Sequence, residues 1–335
     1  MTGRATVYDV ARVAGVSIKT VSRVVNGSEQ VTEDTRLRVL AAVTELAYVR
    51  NAVAHSLRTG SGDAIGVVID SIADSFFARL VSVIEERMLA DGIGVLIAST
   101  GRSSSRERAQ VARLAGQNIQ ALLIAPIGTE HSYLPALAPG IPVVLVDRGW
   151  ELPGYDTVMV QDRAGARSAV EHLVAYGHRR IAFIGDSEAL PTIAQRCLGY
   201  RDGLIAHKIE PDELLVRTGC GEPDSAASTT AELLALENPP TAIFSSNPRA
   251  SLGVVRSLHQ DGRTDVAMIS FGDFALADSL RPAITFVDQD PTPIAEAAVG
   301  LLLSRMRGER APATDFALPV NVISRGSGEL PPCVQ

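Results

Sequence analysis

Lys19 and Arg23 stand four residues apart in Ser17-Ile18-Lys19-Thr20-Val21-Ser22-Arg23-Val24-Val25. On a helix that spacing puts both cations on one face. Ile18, Val21 and Val25 can turn inward, with Val24 near their stripe, leaving Lys19, Thr20, Ser22 and Arg23 outside. Such a face suits a DNA major groove. Lys19 and Arg23 can donate to guanine O6 and N7, Ser17, Thr20 and Ser22 can reach phosphates, and Ile18 near the helix start can touch a thymine methyl. A small helical domain with an ordinary solvated face is the alternative, and the residue types alone do not separate the two.

The elements that must hold this face are legible around it. Thr6-Val7-Tyr8-Asp9 reads as a capping box opening a first helix, with Val7, Val10, Ala11 and Ala14 on one stripe. Gly15 ends that helix, and Ser17 is a good N-cap for the second, which Asn26-Gly27 stops. Thr32 is expected to cap a third helix, with Glu33 and Asp34 in its first turn, where the macrodipole favours acids. Leu37, Leu40, Ala41 and Leu46 are expected to supply its buried side. Two short helices joined by a tight glycine turn and braced by a third describe a helix-turn-helix. Charge agrees: eight basic and five acidic side chains in residues 1–60 give +3, which leaves −10 for the rest of a 335-residue chain whose net charge is −7. Opposite signs in the two parts suggest two tasks.

The stretch TVYDVARVAGVSIKTVSRVVNG, followed by the third helix and by YVRNAVAHSLRTG, resembles the headpiece of the lac repressor/galactose repressor (LacI/GalR) family. The resemblance covers residues 6–60. It implies that Ile18, Lys19 and Arg23 read bases, and that Thr6, Ser17, Thr20, Ser22, Asn26, Thr35, Tyr48 and Asn51 mainly position the protein on phosphates. The segment Asn51 to Arg58 has helix formers, with Val53, Ala54 and Leu57 on one face, yet eight residues cannot hold a helix alone in water. In the family the matching segments of two subunits pair in the minor groove, and a leucine wedges into the central base step. Leu57 sits at the position of that leucine and Ala54 at the small residue beside it. Family members often have proline before the asparagine, where this chain has Arg50.

From Asp63 onward, short apolar runs alternate with amphipathic stretches. AIGVVID, GVLIAS, ALLIAP and PVVLVD read as strands, with helices near 76–91 and 105–117. A second set follows: helices near 162–176 and 194–207, and strands RIAFIG, TAIFSS, VAMISF and ITFVD. This alternation predicts parallel sheets with right-handed crossovers. A helix near 293–307 and a strand near 316–323 suggest that the chain crosses between lobes more than once. DSFFARLVSVIEE, GARSAVEHLVAYGHRRIAFIG, QRCLGYRDGL and LPVNVISRGSG resemble the periplasmic-binding-protein-like sensor domain of the same family. The predicted fold is therefore an all-α helix-turn-helix headpiece plus an α/β periplasmic-binding-protein-like type I sensor domain of two doubly wound lobes. Its expected divisions are a headpiece at 1–50, a hinge helix and linker at 51–62, and an N-terminal lobe at 63–161 plus 291–314. A C-terminal lobe at 162–290 plus 315–327 and a tail at 328–335 complete it.

Ligands of open α/β sheets bind beyond the carboxyl ends of strands, which here face an interlobe cleft. Phe76, Phe77, Thr100, Asp147, Arg196, Asn247 and Phe271 fall on positions that the resemblance assigns to effector contact, and Arg148 lies beside Asp147. Trp150, the only tryptophan, is expected to pack rather than stack on ligand. The family often has two aspartates where Gly272-Asp273 stands, and Asn-Asp where Asn247-Pro248 stands. Losing those carboxylates while keeping Arg148 and Arg196 suggests an anionic effector, such as a sugar phosphate.

Absences shape the rest of the reading. Three scattered cysteines, Cys197, Cys220 and Cys333, suit neither a disulfide framework nor a zinc cluster. The apolar runs are too short to span a bilayer, and MTGRATVYDV lacks the apolar segment of a secretory signal; a cytoplasmic protein is expected. No phosphate loop, paired metal-spaced histidines or nucleophile with a positioned base occurs, so no enzyme, cofactor or metal is expected. His178 is expected to be structural. The resulting expectation is a repressor that binds palindromic operator DNA as a homodimer and answers to a small-molecule effector. A tetramer through a C-terminal coiled coil is not expected, because RGSGELPPCVQ has no heptads. A regulator of the same fold answering to a protein partner is the alternative.

Overall fold

The computed structural model describes residues 5–25, 30–48, 62–127, 131–149 and 154–332. It divides into two compact units, residues 1–62 and 63–335. In the first, α1 (Val7–Ala14), α2 (Ile18–Val25) and α3 (Glu33–Glu45) form a three-helix cluster. The capping box at Thr6 and Asp9 is complete, and Gly15 adopts a left-handed φ of 65° at the end of α1. Ser17 caps α2 by accepting from the Thr20 amide at 3.1 Å.

The core of this unit differs from the sequence expectation in α3. Val39 and Ala42 are buried, whereas Leu37 and Leu40 are 59% and 45% exposed, Ala41 is exposed and Leu46 is half-buried. The opposing surfaces offer Val10, Ala11 and Ala14 from α1 and Val21 and Val24 from α2. Small residues bring the three helices close, and the thin core between them takes valine and alanine rather than leucine. Ile18 is 41% exposed, so it turns outward instead of joining Val21. Thr32 precedes α3 without a side-chain cap; its hydroxyl donates to Thr35 Oγ1 instead.

The second unit holds two six-stranded sheets. The first contains β1 (Ala64–Ile69), β2 (Gly94–Ser99), β3 (Leu122–Ile124), β4 (Val143–Val146), β5 (Asp156–Val160) and β11 (Asp315–Leu318). Its order is β11-β5-β4-β3-β1-β2, parallel throughout. The second contains β6 (Ile181–Ile184), β7 (Val216–Arg217), β8 (Ala242–Ser245), β9 (Ala267–Phe271), β10 (Thr285–Val287) and β12 (Val322–Ile323). Its order is β12-β10-β9-β8-β6-β7, with only β12 antiparallel. The helices between strands are α4 (Ser75–Ala90), α5 (Ser104–Ala115), α6 (Leu134–Leu137), α7 (Asp162–Ala175), α8 (Pro191–Ala206), α9 (Pro223–Leu234), α10 (Pro248–Gln260) and α11 (Pro291–Met306). Central strands are apolar on both faces because helices cover both; β3, β6 and β8 are wholly buried.

The chain passes between lobes three times: between β5 and α7, between β10 and α11, and between β11 and β12. The third passage corrects the expected boundary. Residues 315–318 pair with β5 and belong to the first lobe, not the second. The single strand expected near 316–323 is two short strands in different sheets, because Pro319 and the residues after it break the ladder. The sequence reading also passed over β5, β7, α6, α9 and α10. Cys197 and Cys220 are buried free thiols. Among the described residues, no helix is long and apolar enough to cross a membrane.

Candidate functional site

On α2, Lys19 and Arg23 are exposed on the side opposite the buried Val21 and Val24. The helix has no acidic residue. Among the described residues of this unit, the ion pairs take up Arg12, Arg36 and Arg38, each on an acid of its own helix, and none takes up Lys19 or Arg23. The two cations are thus presented outward, with exposed Ile18 beside them. Thr6 already spends its hydroxyl on Asp9 at 2.7 Å, and Ser17 and Thr20 share a hydroxyl contact of 2.9 Å. Thr35 and Tyr48 are half-buried. Ser22 also lies half-buried on α2. Asn26, Arg50, Asn51, Ala54 and Leu57 lie outside the described residues.

In the second unit the predicted residues converge between the lobes, but mostly on one another. Asp147 follows β4 with a left-handed φ of 66°, which aims the Asp147-Arg148 pair back across the strand ends. Arg148 donates through both terminal nitrogens to Asp70 at 3.1 and 2.6 Å, and its Nε lies 3.1 Å from Asp147. In the other lobe, Arg196 near the start of α8 donates to Asp162 at 2.6 Å, to the Ser246 carbonyl at 2.6 Å and to Gln289 at 3.1 Å. Its guanidinium lies 3.7 Å from the centre of the Phe271 ring, close enough for a cation–π contact. Gln289, at the second passage between lobes, joins the two halves: its Oε1 accepts from Arg196 and its Nε2 donates to Asp147 at 3.1 Å. The result is one buried chain, Asp70–Arg148–Asp147–Gln289–Arg196–Asp162, spanning the cleft. At its mouth, Arg102 pairs with Asp186 and, at 3.3 Å, with Glu222.

The cavity enclosed by these groups is lined by Asp74, Phe76, Phe77, Arg102, Leu190, Thr192, Asn247 and Pro248 besides the network, and has a volume of about 50 Å³. Pockets that take ligands run to ~300–1,000 Å³, so the space left among these ion pairs is too small for one. Two larger chambers adjoin it. One of about 280 Å³ lies beyond Asp147 and Arg148, against Met159, Val160 and Pro191. The other, of about 340 Å³, lies beyond Pro248, against Phe274 and Phe286. Phe77 is buried and half-buried Phe76 lines the cavity. Asn247 spends its side chain capping α10, accepting from Ala250 at 2.8 Å. Thr100 and Phe271 are fully buried and, among the described residues, not part of the cavity lining; Phe271 acts through Arg196. Trp150 lies outside the described residues.

Sequence reasoning missed Asp70, Asp74, Asp162, Asp186 and Gln289. Asp70, Asp186 and Gln289 follow the carboxyl ends of β1, β6 and β10, so the strand-end rule applied to every strand would have found them. They also remove the free arginines on which the expectation of an anionic effector rested. Arg148 and Arg196 are already neutralised, and around the cleft Asp70, Asp74, Asp147, Asp162, Asp186 and Glu222 outnumber Arg102, Arg148, Arg196 and Arg249. Burial pushes the carboxyls of Asp74 and Asp147 up. It pushes Asp162 up to about 6 despite Arg196.

Asp162 therefore carries a pH signature. A carboxyl whose folded pKa lies above its unfolded value contributes stability below the unfolded value and loses it as pH rises through the folded one. The window for Asp162 runs from about 4, the ordinary carboxylate value, to about 6. Across it, the urea stability of the wild type is expected to fall by about 3 kcal/mol relative to Asp162→Asn. A constant difference between the two proteins over that range contradicts the assignment.

A model of the bacterial regulatory proteins of the lacI family matches residues 6–51, and a model of the periplasmic binding protein-like domain matches residues 170–328. The HTH-type transcriptional regulator CelR of Thermobifida fusca is 32% identical over 97% of this chain and 98% of its own. The lac repressor dimer bound to operator and the anti-inducer ONPF superposes with a TM-score of 0.87. Its identity is 28% over 97% of this chain and 99% of that one. A transcriptional regulator CelR–cellobiose complex superposes with a TM-score of 0.72 at 30% identity, covering 97% of this chain and all of that one.

Proposed function

This chain is a member of the LacI family of bacterial regulatory proteins, and we propose from that premise that it is a transcriptional repressor. It binds a palindromic operator as a homodimer and is controlled by a small molecule in the interlobe cleft. The observation that carries this reading is the pairing, in one chain, of an acid-free helical face bearing Lys19 and Arg23 with a two-lobed unit whose polar groups converge on a closed cleft. One headpiece reads a half-site, so two-fold symmetry doubles the recognised sequence. The sensor has surface for such pairing: β2 is a sheet edge, and Leu89, Ile97, Leu252 and Leu276 are exposed.

Effector control follows as a shift between closed and open lobes, sized by the ligand's differential affinity for the two. The cleft's carboxylate excess favours a ligand rich in hydroxyl donors, and the cellobiose complex of a relative supports that class. The relatives CelR and GalR are transcriptional regulators, which supports a regulator over an enzyme.

The test has two arms. Selection from random duplexes is expected to enrich an inverted repeat; enrichment of no sequence refutes the DNA-binding reading. A thermal screen of neutral mono- and disaccharides is expected to give a hit, with about 2.7 kcal/mol of stabilisation at 100 times its dissociation constant. The hit should change operator footprints. A hit that leaves them unchanged refutes effector control. Control by a protein partner becomes the better reading if no small molecule binds.

A further inference from the structure

Gly272 follows β9 with φ +88°, and a Cβ built there would stand 2.9 Å from Pro248 Cγ and 3.4 Å from its Cδ. The first distance is one that real Cβ atoms essentially never show. Neither side can retreat. The Gly272 amide donates to the Val287 carbonyl at 2.9 Å, and its own carbonyl accepts from Ser270 Oγ at 2.7 Å. The same Ser270 hydroxyl accepts from Ser251 at 2.7 Å, and the Ser251 Oγ also lies 2.9 Å from the Asn247 carbonyl. The start of α10, which carries Pro248, is thereby tied to the strand end that carries Gly272. Pro248 is also part of the partition between two spaces: with Phe76 and Gln289 it lines both the inner cavity and the outer chamber of about 340 Å³.

From this we infer that Pro248 and Gly272 are a matched steric pair that determines specificity in the cleft. The proline ring fills the volume a side chain at 272 would need, so the corner at position 272 shows a ligand the apolar Pro248 ring with Phe76 beside it, while the neighbouring Gln289 amide is engaged by Arg196 and Asp147. The effector then turns an apolar edge toward this corner and is gripped by hydroxyl contacts elsewhere, at Asp74, Asp147 and Thr192. This inference rests on the reading of the cleft as an effector site, but the pairing itself is testable without any ligand.

The first measurement is a stability cycle on the full-length protein. Gly272→Ala suffers both the left-handed φ and the clash; in a Pro248→Ala background only the φ strain remains, so the cycle isolates the clash. Gly272→Ala is expected to lower Tm by several degrees alone and by less than half as much beside Pro248→Ala. Additive effects overturn the pairing. The second measurement is calorimetric titration of wild type, Pro248→Ala and the Pro248→Ala, Gly272→Asp double variant with D-glucose, D-galactose and cellobiose. A carboxylate at 272 freed from the proline is expected to raise affinity for at least one sugar by about tenfold or more, the worth of one charged hydrogen bond. Coupled stabilities with no gain for any of the three sugars overturn the specificity role. Operator binding and effector response of the wild type report separately on the regulatory reading.

Discussion

Arg196→Ala is expected to destabilise the two-lobed unit by about 3–5 kcal/mol, the cost of removing one partner from a buried ion pair. Arg196 is 4% exposed and serves four neighbours at once: Asp162, the Ser246 carbonyl, Gln289 and the Phe271 ring. Truncation strands the Asp162 carboxylate in a buried site and leaves a carbonyl and an amide oxygen without their donor. A loss of this size lowers Tm by roughly 6–20 °C for a unit of this length. Arg196→Lys keeps the charge but not the fork, so it cannot meet three acceptors together and should fall in between. A double variant decides the cause. Adding Asp162→Asn to Arg196→Ala removes the stranded charge and is expected to recover part of the loss, as a coupled pair must. Urea unfolding of these variants and of Asp162→Asn alone checks this; additive effects at 162 and 196 contradict it.

The same network shows why the sequence disclosed the fold more fully than the site. Strand and helix positions follow from periodicities that one stretch of chain carries by itself, and most of the strands and long helices are legible, though α9 and α10, of 12 and 13 residues, are not. The exceptions are instructive. β7 is two residues long and has no period to read. β5 lies just past Gly154-Tyr155 and reads as loop. In α3 both faces are apolar enough to serve, and only the small residues of α1 and α2 select Val39 and Ala42 over Leu37 and Leu40. At the site, Asp147, Arg148 and Arg196 do lie between the lobes, but each is engaged by a partner to which the sequence offers no pointer. Their partners, Asp70, Asp162 and Gln289, are 78, 34 and 93 residues away along the chain for the bonds in question. A charge whose counter-charge is that remote looks free in a sequence. The expectation of an anionic effector rested on that appearance, whereas Lys19 and Arg23 lie on a helix whose entire complement of charges is local.

That local completeness makes the reader the place for the second large effect. Arg23→Ala is expected to weaken operator binding and to relax base preference at one position in each half-site, and Lys19→Ala to do so at a second. A good contact to guanine O6 and N7 contributes about 1–3 kcal/mol of discrimination. In a symmetric dimer each substitution occurs twice, so the expected loss is about 2–6 kcal/mol against the cognate operator. The fold should be untouched, because both side chains are exposed and α2 keeps its buried Val21 and Val24. The salt dependence separates this from a phosphate contact. Loss of a base contact leaves the slope of log K against log [salt] nearly unchanged and flattens the preference, whereas loss of a phosphate contact lowers the slope by about 1 per site and weakens all sequences alike. Binding isotherms at several salt concentrations, on the selected operator and on single-position variants, measure both quantities. Arg23→Ala losing affinity equally on every duplex, with a shallower slope, would assign Arg23 to the backbone and leave base reading to Lys19 and Ile18. For Lys19→Ala the same two readouts decide in the same way. If both variants behave so, α2 positions the protein without specifying the sequence, and the reading of its outer face as a base reader is wrong.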